Sequence, residues 1–368
     1  MTRVPALPWR GFPVAGTEPE QPVHTMKTFH PHSKAGPLTR QIVITAWLLA
    51  APWSSQSAPA PATDDTHSPE APDTAGAAPG WNDVTFAHGT FVAVGSDGAI
   101  AVSRDGEGWH PRTSGTATTL RAVTWGADRW IAVGDQGLVL TSSDLLVWQA
   151  VATPTRRVLR DVSFAECHYV AVGDGGTILT SDDASAWKLQ PSGTVHALRS
   201  VTRAWGMFWV GGADRTLLRS KNGRRWSSAM PPGFFGISDL VAEETHLMAA
   251  GCGGILHHSR EDGRWHFHAV NGAPLLGGLT WGPAGAVAVG QRGTICLCIT
   301  PREPEDNAWV EVPSGTQHHL EAVAHGLGRY VAVGHADTLL FSTDGRAWRP
   351  AHRATQVALR EGTRVPPR

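Results

Sequence analysis

The chain lacks several of the signals that usually announce covalent or nucleic-acid chemistry. It has no charge excess: 31 basic residues face 32 acidic ones across 368 positions, a net charge of −1. That balance gives no electrostatic ground for binding nucleic acid. Cysteine occurs four times, as Cys167, Cys252, Cys296 and Cys298, and none shows the paired spacing of a zinc site. Cys296 and Cys298 stand two apart on one expected strand, point the same way and so do not bond to each other. They read as free or partly buried thiols, with a bridge from Cys252 to Cys296 or Cys298 as the alternative in an oxidising compartment. There are only two tyrosines, Tyr169 and Tyr330, and no G-x-S-x-G nucleophile motif. The apolar run Ile42–Trp53 covers twelve residues, too few to cross a bilayer comfortably. From Trp81 onward no segment sustains a 3.6-residue period, so no helix is expected there.

What the chain does have is a ruler. Trp109, Trp148, Trp187, Trp226, Trp265, Trp309 and Trp348 are separated by 39, 39, 39, 39, 44 and 39 residues. Gly95, Gly134, Gly173, Gly212, Gly251, Gly290 and Gly334 keep phase with them, with the same five extra residues in the sixth unit. Two markers in register over seven units mean a repeat architecture. One unit reads 120–125, 130–134, 137–142 and 148–151, four short runs rich in β-branched and aromatic residues and separated by Gly, Asp and Ser. Such runs read as strands. The second and third are joined by Gly-x-x-Gly turns (Gly95 to Gly98, Gly134 to Gly137, Gly173 to Gly176, Gly251 to Gly254, Gly290 to Gly293), where glycine supplies the positive φ of a tight hairpin.

Four antiparallel strands in each of seven 39-residue units give an all-β, seven-bladed β-propeller. A solenoid is the competing repeat fold, but four-stranded units of this length suit blades better. The blades start at Trp81, Leu120, Leu159, Leu198, Ile237, Leu276 and Leu320. The propeller therefore covers 81–357, and 358–368 forms a tail. No strand before Trp81 is evident to complete blade seven, so the ring is expected to close by packing of blade one on blade seven, without an exchanged strand.

The turn before each marker tryptophan carries Ser103, Asp105 and Trp109; Ser142, Asp144 and Trp148; Ser181, Asp183 and Trp187; Ser220, Asn222 and Trp226; and Ser342, Asp344 and Trp348. An Asp or Asn there accepts bonds from backbone N–H groups two residues on and fixes the turn. The tryptophan then buries its ring, worth roughly a few kcal/mol. Blade five shifts the Asp-Gly by one position, to Asp262-Gly263 before Trp265, and blade six inserts 301–306 before Trp309. These turns resemble a shortened Asp-box, or bacterial neuraminidase repeat. The whole unit is similar to the repeat of propellers related to the photosystem II assembly-factor family. The resemblance covers about 81–357; it implies a propeller that works by protein–protein contact.

Residues 1–80 stand apart. Residues 42–53 are apolar, preceded by Lys34 and Arg40 and followed by 54–58, Ser-Ser-Gln-Ser-Ala. That order matches a signal peptide cleaved after Ser57 or Ala58, with Met26 as a more ordinary start than Met1. Residues 1–58 are thus an N-terminal extension and 59–80, rich in Ala, Pro, Asp, Thr and Gly, an unstructured linker. A secreted or periplasmic protein without a stable membrane span in its mature form is expected.

In a propeller the first strand of each blade lines the channel. One position past the blade start stand Asn82, Arg121, Arg160, Arg199, Ser238, Gly277 and Glu321; the next position holds Asp83, Ala122, Asp161, Ser200, Asp239, Gly278 and Ala322. The arginines of blades two to four can grip an acidic or carboxylate-bearing partner. Alternatively, Arg and Asp of neighbouring blades pair with one another. The hairpin acids Asp97, Asp135, Asp174, Asp214 and Asp337 lie on the same face, where turns favour Asp regardless. His257-His258, His266, His268 and His318-His319 read as scattered surface residues, and no metal or other cofactor is assigned. A sialidase needs an arginine triad and a tyrosine nucleophile, yet both tyrosines sit at a core position of the second strand. Asp83, Asp161 and Asp239 lie on alternate blades, expected to be too far apart for a glycosidase pair. The sequence therefore reads as a non-catalytic, exported, monomeric scaffold for an unidentified protein partner. Its channel-mouth binding candidates are Arg121, Arg160, Arg199, Asp83, Asp161, Asp239 and Glu321; the alternative is a glycan-binding or glycoside-hydrolase-like Asp-box protein.

Overall fold

A computed structural model describes residues 79–230, 236–261, 263–270, 275–299 and 309–353. The expected leader, most of the linker, Asp262, the insertion 301–306 and the tail lie outside the described residues. The chain divides into two units, Met1–Ser68 and Pro69–Arg368; all described residues belong to the second.

That unit is a seven-bladed propeller of four-stranded antiparallel blades. Blade two shows the pattern: Leu120–Gly126, Arg129–Gly134, Val139–Ser142 and Gln149–Val151, each strand paired with the next. The first strand of every blade touches the first strand of the next, and that of blade seven touches that of blade one, so these strands line the axis. The core is divided accordingly. Among the described residues seven apolar clusters are present, each built from two adjacent blades. Cohesion therefore resides between blades, as expected of units that cannot bury both faces alone.

The repeated glycine at the end of the second strand has a different role from the one its turn suggested. Gly134 is extended (φ −168°), so positive φ is not its purpose. A Cβ there would lie 2.1 Å from the Thr119 carbonyl oxygen, and the equivalent clash occurs at Gly95, Gly173 and Gly212. The close approach goes with a β-bulge: Leu120 pairs with Gly134 and Ala122 with Val133, which leaves Arg121 as the extra residue. The bulge recurs at the equivalent residue of every other blade. It frees that side chain from the strand's two-residue alternation. Positive φ falls at the second glycine, Gly137 (φ +73°), and at Gln136 before it.

The turns before the tryptophans are fixed as the sequence suggests. Asp105 Oδ1 accepts the N–H groups of Glu107 and Gly108, both at 2.9 Å, and the Ser103 hydroxyl at 3.0 Å. Asp144, Asp183, Asn222 and Asp344 repeat the backbone pair. Trp109, Trp148 and Trp187 are buried; Trp226, Trp265, Trp309 and Trp348 are half-buried.

Ring closure departs from expectation. Blade seven completes its own four strands, but the chain then adds a two-residue strand, His352–Arg353, parallel to the outer strand of blade one at Gly108 and Trp109. Asp337 gathers the same junction: it accepts Trp81 Nε1 at 2.8 Å and Arg353 at 3.3 Å, and its N–H reaches the Pro79 carbonyl. Arg353 also lies over the Trp81 ring. This latch is not legible in the sequence, because the donor lies downstream and is too short to carry a strand signal.

Among the described residues no disulfide is present: Cys167 and Cys252 are exposed thiols and Cys296 is buried. Burial, and then Glu311, push the Cys296 thiol up to about 12, which makes it inert.

Candidate functional site at the channel mouth

The bulged strands and the second hairpins bring the ring residues into two layers. In the outer layer, two of the three arginines, Arg121 and Arg160, meet the hairpin of their own blade. Arg121 donates through Nε and Nη2 to Asp135 at 2.8 and 3.1 Å, and Arg160 does the same to Asp174 at 2.5 and 3.2 Å. Pairing between neighbouring blades, the alternative raised by the sequence, is not how these two are held. About a third of each arginine side chain stays exposed. Among the described residues the remaining guanidinium edge of Arg121 and of Arg160 has no polar partner. Arg199 stands in the same register, but Ala213 occupies the corresponding hairpin position, so it cannot form the same pair. Glu321 reverses the pattern, with His335 Nε2 at 2.9 Å from its carboxylate. Asn82 bridges instead to the Leu120 carbonyl of blade two.

The inner layer holds the three aspartates, and each ties its blade to the next. Asp83 accepts the Val123 N–H at 2.8 Å, Asp161 the Val201 N–H at 2.6 Å, and Asp239 the Leu279 N–H at 2.7 Å. Asp161 and Asp239 use their other oxygen for their own strand, at the N–H of Val162 and Leu240. Asp239 also takes the Ser200 hydroxyl at 3.0 Å. These staples join blades one to two, three to four and five to six. Seven is odd, so alternation leaves blade seven without one: Ala322 stands at the position, and the terminal latch holds that junction instead.

The staples carry an electrostatic cost. Burial raises Asp83 to about 7 and Asp161 to about 8 against the opposing backbone hydrogen bonds, and repulsion among the three carboxyls adds to the rise. Burial raises Asp239 as well. All three residues keep some solvent exposure, which tempers the effect.

The two tyrosines are not placed as nucleophiles. Both are buried. Tyr169 donates to the Gly126 carbonyl of blade two and Tyr330 to the Gly285 carbonyl of blade six at 2.9 Å. Burial pushes the Tyr169 phenol up to about 12.

Two regularities here escaped the sequence reading although their signal was present. The strand-to-hairpin pair spans 14 residues in blades two, three and seven. The staple spans 40 residues in blades one, three and five. Reading the register for residue pairs, instead of one position at a time, exposes both.

No family model matches the chain, and no curated protein matches it in sequence. Solved structures do resemble it. The WD40 β-propeller domain of Doa1 aligns with a TM-score of 0.57 at 14% identity, over 74% of this chain and 96% of that one. YCF48 from Cyanidioschyzon merolae aligns with a TM-score of 0.56 at 16% identity, over 73% and 96%. YCF48 bound to D1 peptide gives 0.58 at 13% identity, over 72% and 92%. At these identities the likeness is one of fold.

Proposed function

We propose that this protein is a non-catalytic, exported propeller scaffold that binds an acidic segment of a protein partner at the channel mouth over blades two to four. The observation that carries this reading is the state of Arg121 and Arg160. Each guanidinium is oriented by its own hairpin acid and keeps a second edge open, on adjacent blades. A pre-oriented fork of this kind favours carboxylates and loses little entropy on binding. The structural likeness to YCF48 bound to D1 peptide supports a peptide as the partner class. Export rests on the signal-like segment 42–53, with a mature chain starting near residue 58 and translation starting at Met26.

Replacing Arg121, Arg160 and Arg199 together by Gln tests the reading. The fold should survive, since losing each partly exposed ion pair, Arg121–Asp135 and Arg160–Asp174, costs about 1 kcal/mol or less. Capture of partners from periplasmic or secreted extract should weaken. A triple variant that unfolds, or captures the same proteins at the same salt, would refute it. A reporter fused after Gly80 tests export separately: cytosolic retention with an intact N-terminus would defeat that part.

A further inference from the structure

Blade seven breaks the arginine–aspartate pattern of the mouth in a specific way. Where blades two and three have Arg121 and Arg160, it has Glu321; where they have Asp135 and Asp174, it has His335. A third change accompanies these two. The residue before the blade start is Thr119 in blade two and Val158 in blade three, but His319 in blade seven. An ion pair has thus been exchanged for two imidazoles and a carboxylate. Their ligand atoms, the His319 and His335 ring nitrogens and a Glu321 oxygen, all lie within 4.8 Å of one another. His335 Nε2 is 2.9 Å from Glu321 Oε1 and His319 Nε2 is 3.9 Å from Glu321 Oε2. The two rings stand 5.2 Å apart, tilted by 40°.

We propose that His319, Glu321 and His335 form a divalent-cation site of the zinc class at the mouth of blade seven. Imidazole with carboxylate suits zinc. Bonds of about 2.0–2.1 Å in a tetrahedral centre place ligand atoms roughly 3.3 Å apart, so the widest separation in the trio needs to close by at most about 1.5 Å. His335 is half exposed and Glu321 about a quarter exposed, which leaves room for that rotation. The backbone around them is fixed: Glu321 is the bulged residue of its strand and His335 opens the hairpin, held by its N–H to the His319 carbonyl at 2.9 Å. All three ligands therefore hang from a strand start and the hairpin bonded to it, which is the preorganisation a metal site needs. Three protein ligands leave a fourth position open to water or to a group brought by a partner. The sequence reading counts His319 among scattered surface histidines and does not single out His335, because no spacing in the sequence demands convergence. The bulge and the hairpin bring them together.

The repeat itself supplies the control. The double replacement Glu321→Arg with His335→Asp rebuilds the ion pair of blades two and three on the same backbone. Zinc ion is titrated into untagged protein by calorimetry, and cobalt(II) is added in parallel to read coordination from its visible absorption. The wild type should bind one equivalent of zinc and give the strong cobalt bands of low coordination number. The double variant should melt at the wild-type temperature and lose that site. His319→Ala should weaken binding by at least about tenfold. The chain carries 18 histidines, so zinc held equally by wild type and double variant would locate it elsewhere and overturn the proposal, as would a wild type that binds none. If the double variant does not fold, Glu321→Gln decides: reduced affinity supports the site and unchanged affinity overturns it.

Discussion

Asp239→Ala probes the inner layer most sharply. Alanine suits the backbone at this register, because blades two and seven already carry Ala122 and Ala322 there. The cost is then that of the lost bonds and not of strain. Asp239 accepts the N–H groups of Leu240 and Leu279, each at 2.7 Å, and the Ser200 hydroxyl. Leu240 N–H keeps a second acceptor, Ser200 Oγ at 3.1 Å, so Leu279 N–H is the donor left behind. A hydrogen bond to a charged group contributes about 1.5–3 kcal/mol, and an orphaned buried donor costs about 1–3 kcal/mol. Relief of carboxyl burial and of repulsion on Asp83 and Asp161 offsets part of this. A net loss of about 2 kcal/mol in chemical denaturation is expected. A second readout is independent of stability. One of the charges holding Asp161 up is gone, so its carboxyl should titrate at lower pH by NMR. Unchanged stability together with an unchanged Asp161 titration would show that the staple does not exist.

Trp109→Ala removes a fully buried ring and should cost about 3–5 kcal/mol by denaturant melt; a loss under about 1 kcal/mol would mean that the ring is not part of the core. Asp337→Ala leaves Trp81 Nε1 and Arg353 without their acceptor and should accelerate hydrogen exchange in blades one and seven while sparing blade four; uniform exchange would disprove a localised latch. The pH profile follows from opposite shifts. Asp83 and Asp161 have raised folded values, about 7 and about 8, so their contribution is full below 3.8 and is lost as pH rises through those values. Asp344 is lowered by the N–H groups of Ala347 and Arg346, so its contribution is present above 3.8 and lost below it. Stability should peak in the mildly acidic range and fall towards pH 8. Asp161→Asn should flatten the falling limb by up to about 1.4 kcal/mol per pH unit; parallel curves for variant and wild type would contradict the assignment.

The blade count and strand order were legible because tryptophan and glycine markers repeat in phase, and because period-two runs between Gly and Asp admit few other folds. The Ser–Asp–Trp turns were legible for the same reason: each is a local contact within seven residues. What stayed hidden depends on contacts across the repeat. Arg121 and Asp135 were both noticed, but their pairing follows from a bulge that no composition signals. The bulge also gives Gly134 its purpose, since that glycine sits in extended backbone and serves close approach to Thr119. The latch at His352–Arg353 is two residues long, below the length at which alternation can be read. The convergence of His319 and His335 on Glu321 likewise depends on the fold and not on spacing.

On the proposed function, the open edges of Arg121 and Arg160 receive carboxylates. Fluorescence anisotropy of a labelled oligoglutamate peptide with a free C-terminus tests it most directly, with protein titrated at about 0.05 M and 0.5 M salt, where screening lengths differ severalfold. Binding should saturate at low salt, weaken markedly at high salt, and be lost on combining Arg121→Gln with Arg160→Gln. Equal binding by that variant, or tighter binding of an oligolysine peptide, would contradict it.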